Sequence, residues 1–237
     1  MIQLSFIILE SGSFAPLIIF PIIGLIIFFS WFFNKKNKIK RHLAKFNETP
    51  IRSFQEGETG KTRGEIIYAG KTLVAPLSKR KCSYYYLHVQ EYRSSGKSGS
   101  WYTIIEEEVA GDVVIHDGSA FAVIATDIVK SYIVQDRKFS SGTFSDADTT
   151  MQEILSSRGY KSTTWLGFNK SIRYMEGVLE KGEIVCVSGT GSWKSIKPPE
   201  LKIPVSRFLH ITGNPSEQVY MSDDPDITKE NTSGQSH

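Results

Sequence analysis

Two hydrophobic textures divide the chain. From Phe14 to Phe33 every position is apolar except Ser30, and no polar face recurs at helical spacing. A helix of that length spans roughly 30 Å, the thickness of a hydrocarbon core. Fourteen of these residues are Leu, Ile or Phe. They favour membrane insertion by roughly 4–8 kcal/mol, before Pro16, Pro21 and Gly24 subtract some. A cleaved signal peptide needs a basic start, a shorter apolar core and a small-residue cleavage site, and none is present. The pattern predicts one transmembrane helix over 14–33, kinked or late-starting because both prolines lie in its first half.

Beyond it the period changes to that of strands. Glu65–Tyr68 and Thr72–Ala75 are short apolar runs around Ala69-Gly70-Lys71. Cys82–Arg93 and Trp101–Val109 are long, aromatic-rich and β-prone, and Ser94–Ser100 joins them as a hairpin loop. Val113–His116 and Phe121–Ala125 flank a tight turn at Asp117-Gly118. Ile172–Leu179 and Glu183–Ser188 read as another pair, joined through Lys181-Gly182. The exception is Ser145–Gly159, with Ser145 and Asp148 at capping-box spacing and Asp146 in the first turn. There Met151, Ile154 and Leu155 form one apolar stripe, with Arg158 and Gly159 at the end. The fold expected is a mainly β (α+β) soluble domain of antiparallel strands with one short amphipathic helix, preceded by one transmembrane helix. The boundaries are a short extracytoplasmic start over 1–13, the membrane helix over 14–33 and a basic juxtamembrane linker over 34–49. A β domain over 50–221 and a disordered polar tail over 222–237 follow, Ile227 being the tail's one apolar residue.

Charge adds a topology. The 237 residues carry a net charge of +3, yet residues 1–34 hold no Lys or Arg and one acid, Glu10. Lys35, Lys36, Lys38, Lys40, Arg41 and Lys45 follow at once, and residues 46–237 balance 22 basic against 24 acidic side chains. The positive-inside rule therefore puts the N-terminus outside and the soluble domain in the cytoplasm, with Lys35, Lys36, Lys38, Lys40 and Arg41 as topology cations. A topology signal suffices to explain that run, and nothing in the sequence requires specific headgroup binding. A slightly acidic soluble part without a basic stripe argues against nucleic acid. Two cysteines about a hundred positions apart, Cys82 and Cys186, make neither a disulfide framework nor a thiolate zinc site.

Candidate chemistry is sparse. Gly57-Glu58-Thr59-Gly60-Lys61-Thr62 resembles a phosphate-binding loop, but Gln55 stands where its first glycine belongs and a strand follows instead of a helix. It reads as a solvated loop. Gly189-Thr190-Gly191 lacks the third glycine and the helix of a dinucleotide fingerprint. No G-x-S-x-G element occurs, and His42, His88, His116, His210 and His237 are never paired at ligand spacing. His116 and Asp117 are adjacent, so their side chains point to opposite faces, and Asp117 reads as a turn residue. Glu106-Glu107-Glu108 reads as a solvated strand end. No catalytic, metal or cofactor site and no small-molecule substrate is expected. A hydrolase built from distant residues would need a pocket joining an acid or His to a nucleophile. Tyr84, Tyr85, Tyr86, Tyr92, Trp101 and Tyr102 concentrate on one hairpin. Cross-strand packing accounts for them. The functional alternative is a protein-interaction face of Tyr84, Tyr86, Tyr92 and Trp101, since exposed Tyr and Trp are favoured anchors.

Several segments together resemble one family. They are Thr62-Arg63-Gly64 to Pro76-Leu77, then Cys82-Ser83-Tyr84-Tyr85-Tyr86, Glu91-Tyr92-Arg93 and Val113-Val114-Ile115-His116-Asp117-Gly118. Tyr174 to Leu179, Gly182 to Gly189 and Met221-Ser222-Asp223-Asp224 follow in the same order. Over about residues 50–225 the chain is similar to the GIDE, or beside-a-membrane, domain. In eukaryotes that domain belongs to mitochondrial-outer-membrane RING-type E3 ubiquitin ligases, where a separate RING carries the activity. The resemblance implies a membrane-adjacent, mainly β interaction domain and does not transfer the ligase. A RING folds around bound zinc, and two cysteines cannot supply its ligands; the chain looks like a RING-less member. The function expected is a single-pass, membrane-anchored interaction or assembly module. Its partners are the lipid bilayer and an unidentified protein, with homo-oligomerisation allowed and no cofactor. The alternative is a component of ubiquitin-type ligation whose RING is supplied in trans.

Overall fold

The computed structural model describes residues 15–96, 98–141, 149–162, 170–195, 201–214 and 217–229, with side chains from Ile19 onward apart from Ser95. Two compact units result, Met1–Lys38 and Ile39–His237.

The first unit holds helix α1 (Ala15–Phe33) and the start of helix α2 (Lys35–Leu43). Along α1 the described large apolar side chains other than the half-buried Phe32 stay open to the surroundings, from Ile23 at 46% exposed to Phe20 at 71%. Phe28 stacks on Phe32 and Phe29 on Phe33, one helical turn apart. Asn34 separates the helices and caps the second: its side chain accepts from the Lys36 N–H at 3.0 Å and its carbonyl from the Lys38 N–H at 2.9 Å. Among the described residues no single helix is long and apolar enough to cross a membrane. The part of α1 whose side chains are described, Ile19–Phe33, covers about 22 Å as a helix.

The second unit is mainly β. Its strands are β1 (Thr59–Ile67), β2 (Leu73–Val74), β3 (Lys81–Cys82), β4 (Tyr84–Ser95), β5 (Ser98–Ala110), β6 (Val113–His116) and β7 (Phe121–Ile124). There follow β8 (Val129–Tyr132), β9 (Arg137–Ser141), helix α3 (Thr149–Ser156), β10 (Ile172–Leu179), β11 (Ile184–Ser195), β12 (Arg207–Thr212), β13 (Val219–Ser222) and the short helix α4 (Pro225–Thr228). Strands β1, β6, β7, β12 and β11 pair in that order, and β11 pairs back with β1, so five strands close a small barrel. Such Greek-key barrels, the OB-fold among them, fill their interior with side chains. Alternate residues do so here: Val113 and Ile115, Ala122 and Ile124, Val185 and Val187, Leu209 and Ile211. Strand β13 continues the sheet from β11, and β8 pairs with β13.

The chain between β1 and β6 supplies β4 and β5, and that between β8 and β11 supplies β9 and β10. These four form a second, antiparallel sheet in the order β5-β4-β10-β9. Helix α3 lays Met151, Ile154 and Leu155 on it, against Leu87, Val89, Ile172 and Tyr174, and Gly159 ends that segment at φ +78°. The capping residues Ser145, Asp146 and Asp148 lie outside the described residues.

Five expectations change. The strands are not all antiparallel, since β7–β12 and β8–β13 are parallel pairs. Strands β10 and β11 form no hairpin. The turn between them bonds to β1, with Gly182 N–H to Ile66 O at 3.0 Å and Ile66 N–H to Glu183 O at 2.8 Å, and sends β11 into the barrel. The supposed loop Thr59–Thr62 is the start of β1, its inward face made of Gly60, Thr62, Gly64 and Ile66. At Gly64 a Cβ would stand 3.0 Å from the His116 carbonyl oxygen, a close approach that favours glycine at this barrel seam. Residues 34–49 are more than a linker. Ile39, His42 and Leu43 form a buried stripe on α2, and Ile39 and Leu43 pack with Cys186, Tyr132, Tyr220 and Ile227. The polar tail begins as structure, since Ser222 and Asp224 are buried and Asp224 caps α4 through the Asp226 N–H at 2.8 Å; residues 230–237 lie outside the description.

Candidate functional site

The four-residue interaction face expected from sequence divides in two. Tyr84 is 1% exposed and Tyr86 8%. The Tyr84 phenol bonds to Glu108 and Ser131, and the Tyr86 phenol donates to Glu106 at 2.9 Å. Burial first, and then these carboxylates, push both phenols well above the ordinary tyrosine value. Both therefore belong to the interior. Glu107 pairs with Arg158, so the three glutamates tie β5 to its neighbours and are not a solvated end.

Tyr92 and Trp101 remain outside. Near the end of the β4–β5 hairpin, Tyr92 sits opposite Trp101 and Glu91 opposite Tyr102, after a register shift between Val89 and Gln90. The Tyr92 and Trp101 rings meet edge to face at 5.4 Å. The Arg173 guanidinium from β10 lies 4.4 Å from the Trp101 ring centre while its Nε donates to Gln90 at 2.6 Å. Arg93 lies 5.1 Å from the Tyr102 ring centre. Tyr92, Trp101 and Tyr102 stay 41%, 37% and 49% exposed. On the Tyr102 side of the hairpin, opposite to Tyr92 and Trp101, Glu91 is buried. Burial alone would raise its carboxyl, but hydrogen bonds from Lys170 and Arg93 hold it below the usual range, Lys170 at 3.0 Å and Arg93 at 3.1 Å. The result is a firm aromatic tip edged by arginine. Tyr102, noted among the aromatics of this hairpin, is not in the face expected from sequence, nor are Arg93 and Arg173. The hairpin register would have found Tyr102, but no local signal brings Arg173 across from β10.

Other chemistry is sparse among the described residues. A groove of about 880 Å³ is lined by Arg63, Glu65, His116, Asp117 and Ser119, among others. Asp117 is committed to structure: it accepts from the N–H groups of Ile51, Ser119 and Ala120 and from the Ser119 hydroxyl, at 2.7–3.0 Å. Burial would raise its carboxyl, and these donors hold it below the usual range. Among the described residues no hydroxyl or thiol hydrogen-bonds to His116, whose ring leans on Phe121 at 4.4 Å. His42, His88 and His210 lie on α2, β4 and β12, away from one another in the topology; His237 lies outside the description. Cys82 and Cys186 are buried, and burial pushes their thiols up to about 11 and about 12. No group of three or more His, Cys, Asp or Glu among the described residues is arranged to hold a metal ion.

The chain matches no family model, no curated protein and no solved structure.

Proposed function

We propose that this chain is a single-pass membrane protein whose β unit is a cytoplasmic interaction module, with the tip of the β4–β5 hairpin as its protein-docking face. The observation that carries the module is the tip itself. Three large aromatic side chains, Tyr92 and Trp101 on one face and Tyr102 on the other, stay exposed while ion pairs to the buried Glu91 and cation–π contacts from Arg93 and Arg173 hold the tip. Aromatic and arginine anchors on a preorganised surface are the residues that dominate protein–protein binding energy. The anchor is supported by α1, whose apolar side chains would cost on the order of 10 kcal/mol to leave in water. The basic run beside it supports a cytoplasmic placement. The GIDE-like reading points to the same membrane-adjacent role.

A photo-crosslinking amino acid at Tyr102, in intact membranes, tests the module. Discrete adducts are expected there and not from a control position at Lys130. Adducts absent from the Tyr102 position under all growth conditions would overturn the docking face. A RING-bearing protein among the adducts would favour the ligase alternative.

A further inference from the structure

We infer that a second cavity, beside α2, binds the phosphate of an anionic phospholipid headgroup; the choice of a lipid rests on the membrane-anchor reading above. The cavity measures about 580 Å³ and is lined by Lys40, Lys61, Arg63 and Lys229, with Glu48 and Asp226 as its two acids. It is a built site. Arg63 reaches Glu48 at 3.2 Å and donates to the Thr228 carbonyl at 2.8 Å, fixing β1 to α4. The Thr49 N–H donates to the Lys61 carbonyl at 2.8 Å, holding the third wall. Leu43 and Ile227, members of one apolar cluster, also line it.

Charge selects the ligand. Arg63 offsets Glu48, and against Asp226 stand Lys40, Lys61 and Lys229, which make no ion pair among the described residues, so the lining keeps an excess of cations. Several cations facing one concavity focus potential on an anion, and Lys and Arg are the side chains that take phosphate oxygens. The domain around the cavity is slightly acidic, 22 basic against 24 acidic residues over 46–237. The basic cavity is thus not a sample of a generally basic surface.

Position selects the source. Lys40 follows Phe33 by seven residues, a chain length of at most about 25 Å. If α1 is in the bilayer, that tether keeps the cavity within reach of the headgroup layer. The apolar lining of Leu43, Phe46 and Ile227 suits the glycerol and first methylenes of a lipid and offers nothing to a free phosphate ion.

Full-length protein in neutral detergent, followed by native mass spectrometry, provides the test. The probes are short-chain phosphatidylglycerol, short-chain phosphatidylcholine and inorganic phosphate, against wild type and a K61Q/K229Q variant. That variant keeps all five topology cations and breaks no ion pair, so its melting temperature is expected to match wild type. Wild type is expected to bind one phosphatidylglycerol at least tenfold more tightly than phosphatidylcholine, and the variant to lose that preference. Equal binding of the two lipids, a preference retained in the variant, or inorganic phosphate binding as tightly as phosphatidylglycerol would each overturn the inference. If instead the anchor reading fails, wild type stays dispersed after detergent removal, an outcome independent of the lipid titration.

Discussion

At the scale of single residues, burial decides which polar groups are chemistry and which are scaffold. Glu176 is fully buried, yet its carboxylate accepts the N–H groups of Leu77 and Ser78 at 2.7 and 3.0 Å, and so organises the β2–β3 turn. Asp223 differs. Burial pushes its carboxyl up to about 7, Glu183 and Asp224 nearby add to the rise, and the Val134 N–H at 2.8 Å opposes it. The folded chain then keeps a proton that the unfolded chain releases above about pH 4. The stability it contributes is full below that pH and is lost as pH rises through about 7. Asp223→Asn retains an acceptor for Val134 and cannot ionise. The variant is expected to melt higher than wild type at pH 8, by up to about 4 kcal/mol of stability, and to show no gain at pH 4. Equal melting temperatures across that range would refute the assignment. The sequence could not have singled out Asp223, because its burial comes from the β13–β8 pairing, distant in the chain.

The same limit appears at the scale of elements, where legibility followed the side chains that carry the hydrophobic pattern. Strands β6 and β7 and the turn at Asp117 were readable because valine, isoleucine and alanine mark their inward face. The start of β1 was not, since its inward face is glycine and threonine at Gly60, Thr62 and Gly64. In β4, alternation could not tell an interior face from an exposed one. Tyr84 faces the barrel core while Leu87 and Val89 face α3, so both sides of the strand are covered. Helix α2 was hidden for the opposite reason, its charges masking a stripe of three buried residues. That stripe makes a prediction. Removing the Leu43 side chain leaves a cavity against Ile39 and Cys186, which costs about 2–4 kcal/mol. Leu43→Ala is expected to raise amide exchange over Lys40–Lys45 by one to two orders of magnitude and to leave β6 and β7 protected. Uniform loss of protection in both would mean that α2 is not a separate docking element.

For the whole molecule, the distribution of charge matters more than its sum. The +3 resolves into a near-neutral β unit and a cationic run at 35–45, and the two parts of that run differ in burial. Ile39 and Leu43 hold the end of α2 to the β unit, whereas Lys35, Lys36 and Lys38 precede that contact and are not buried. A topology signal acts through the cations themselves, so they can be neutralised without touching the core. Replacing Lys35, Lys36, Lys38, Lys40 and Arg41 with glutamine is expected to leave the β unit folded, as judged by unchanged strand-type circular dichroism. The same variant is expected to lose its uniform orientation, read as a protease-accessible C-terminal tag becoming partly protected in sealed vesicles. A tag that stays fully accessible would show that orientation is set elsewhere, for instance by rapid folding of the β unit before insertion. The cytoplasmic placement would then rest on the fold and not on the charge.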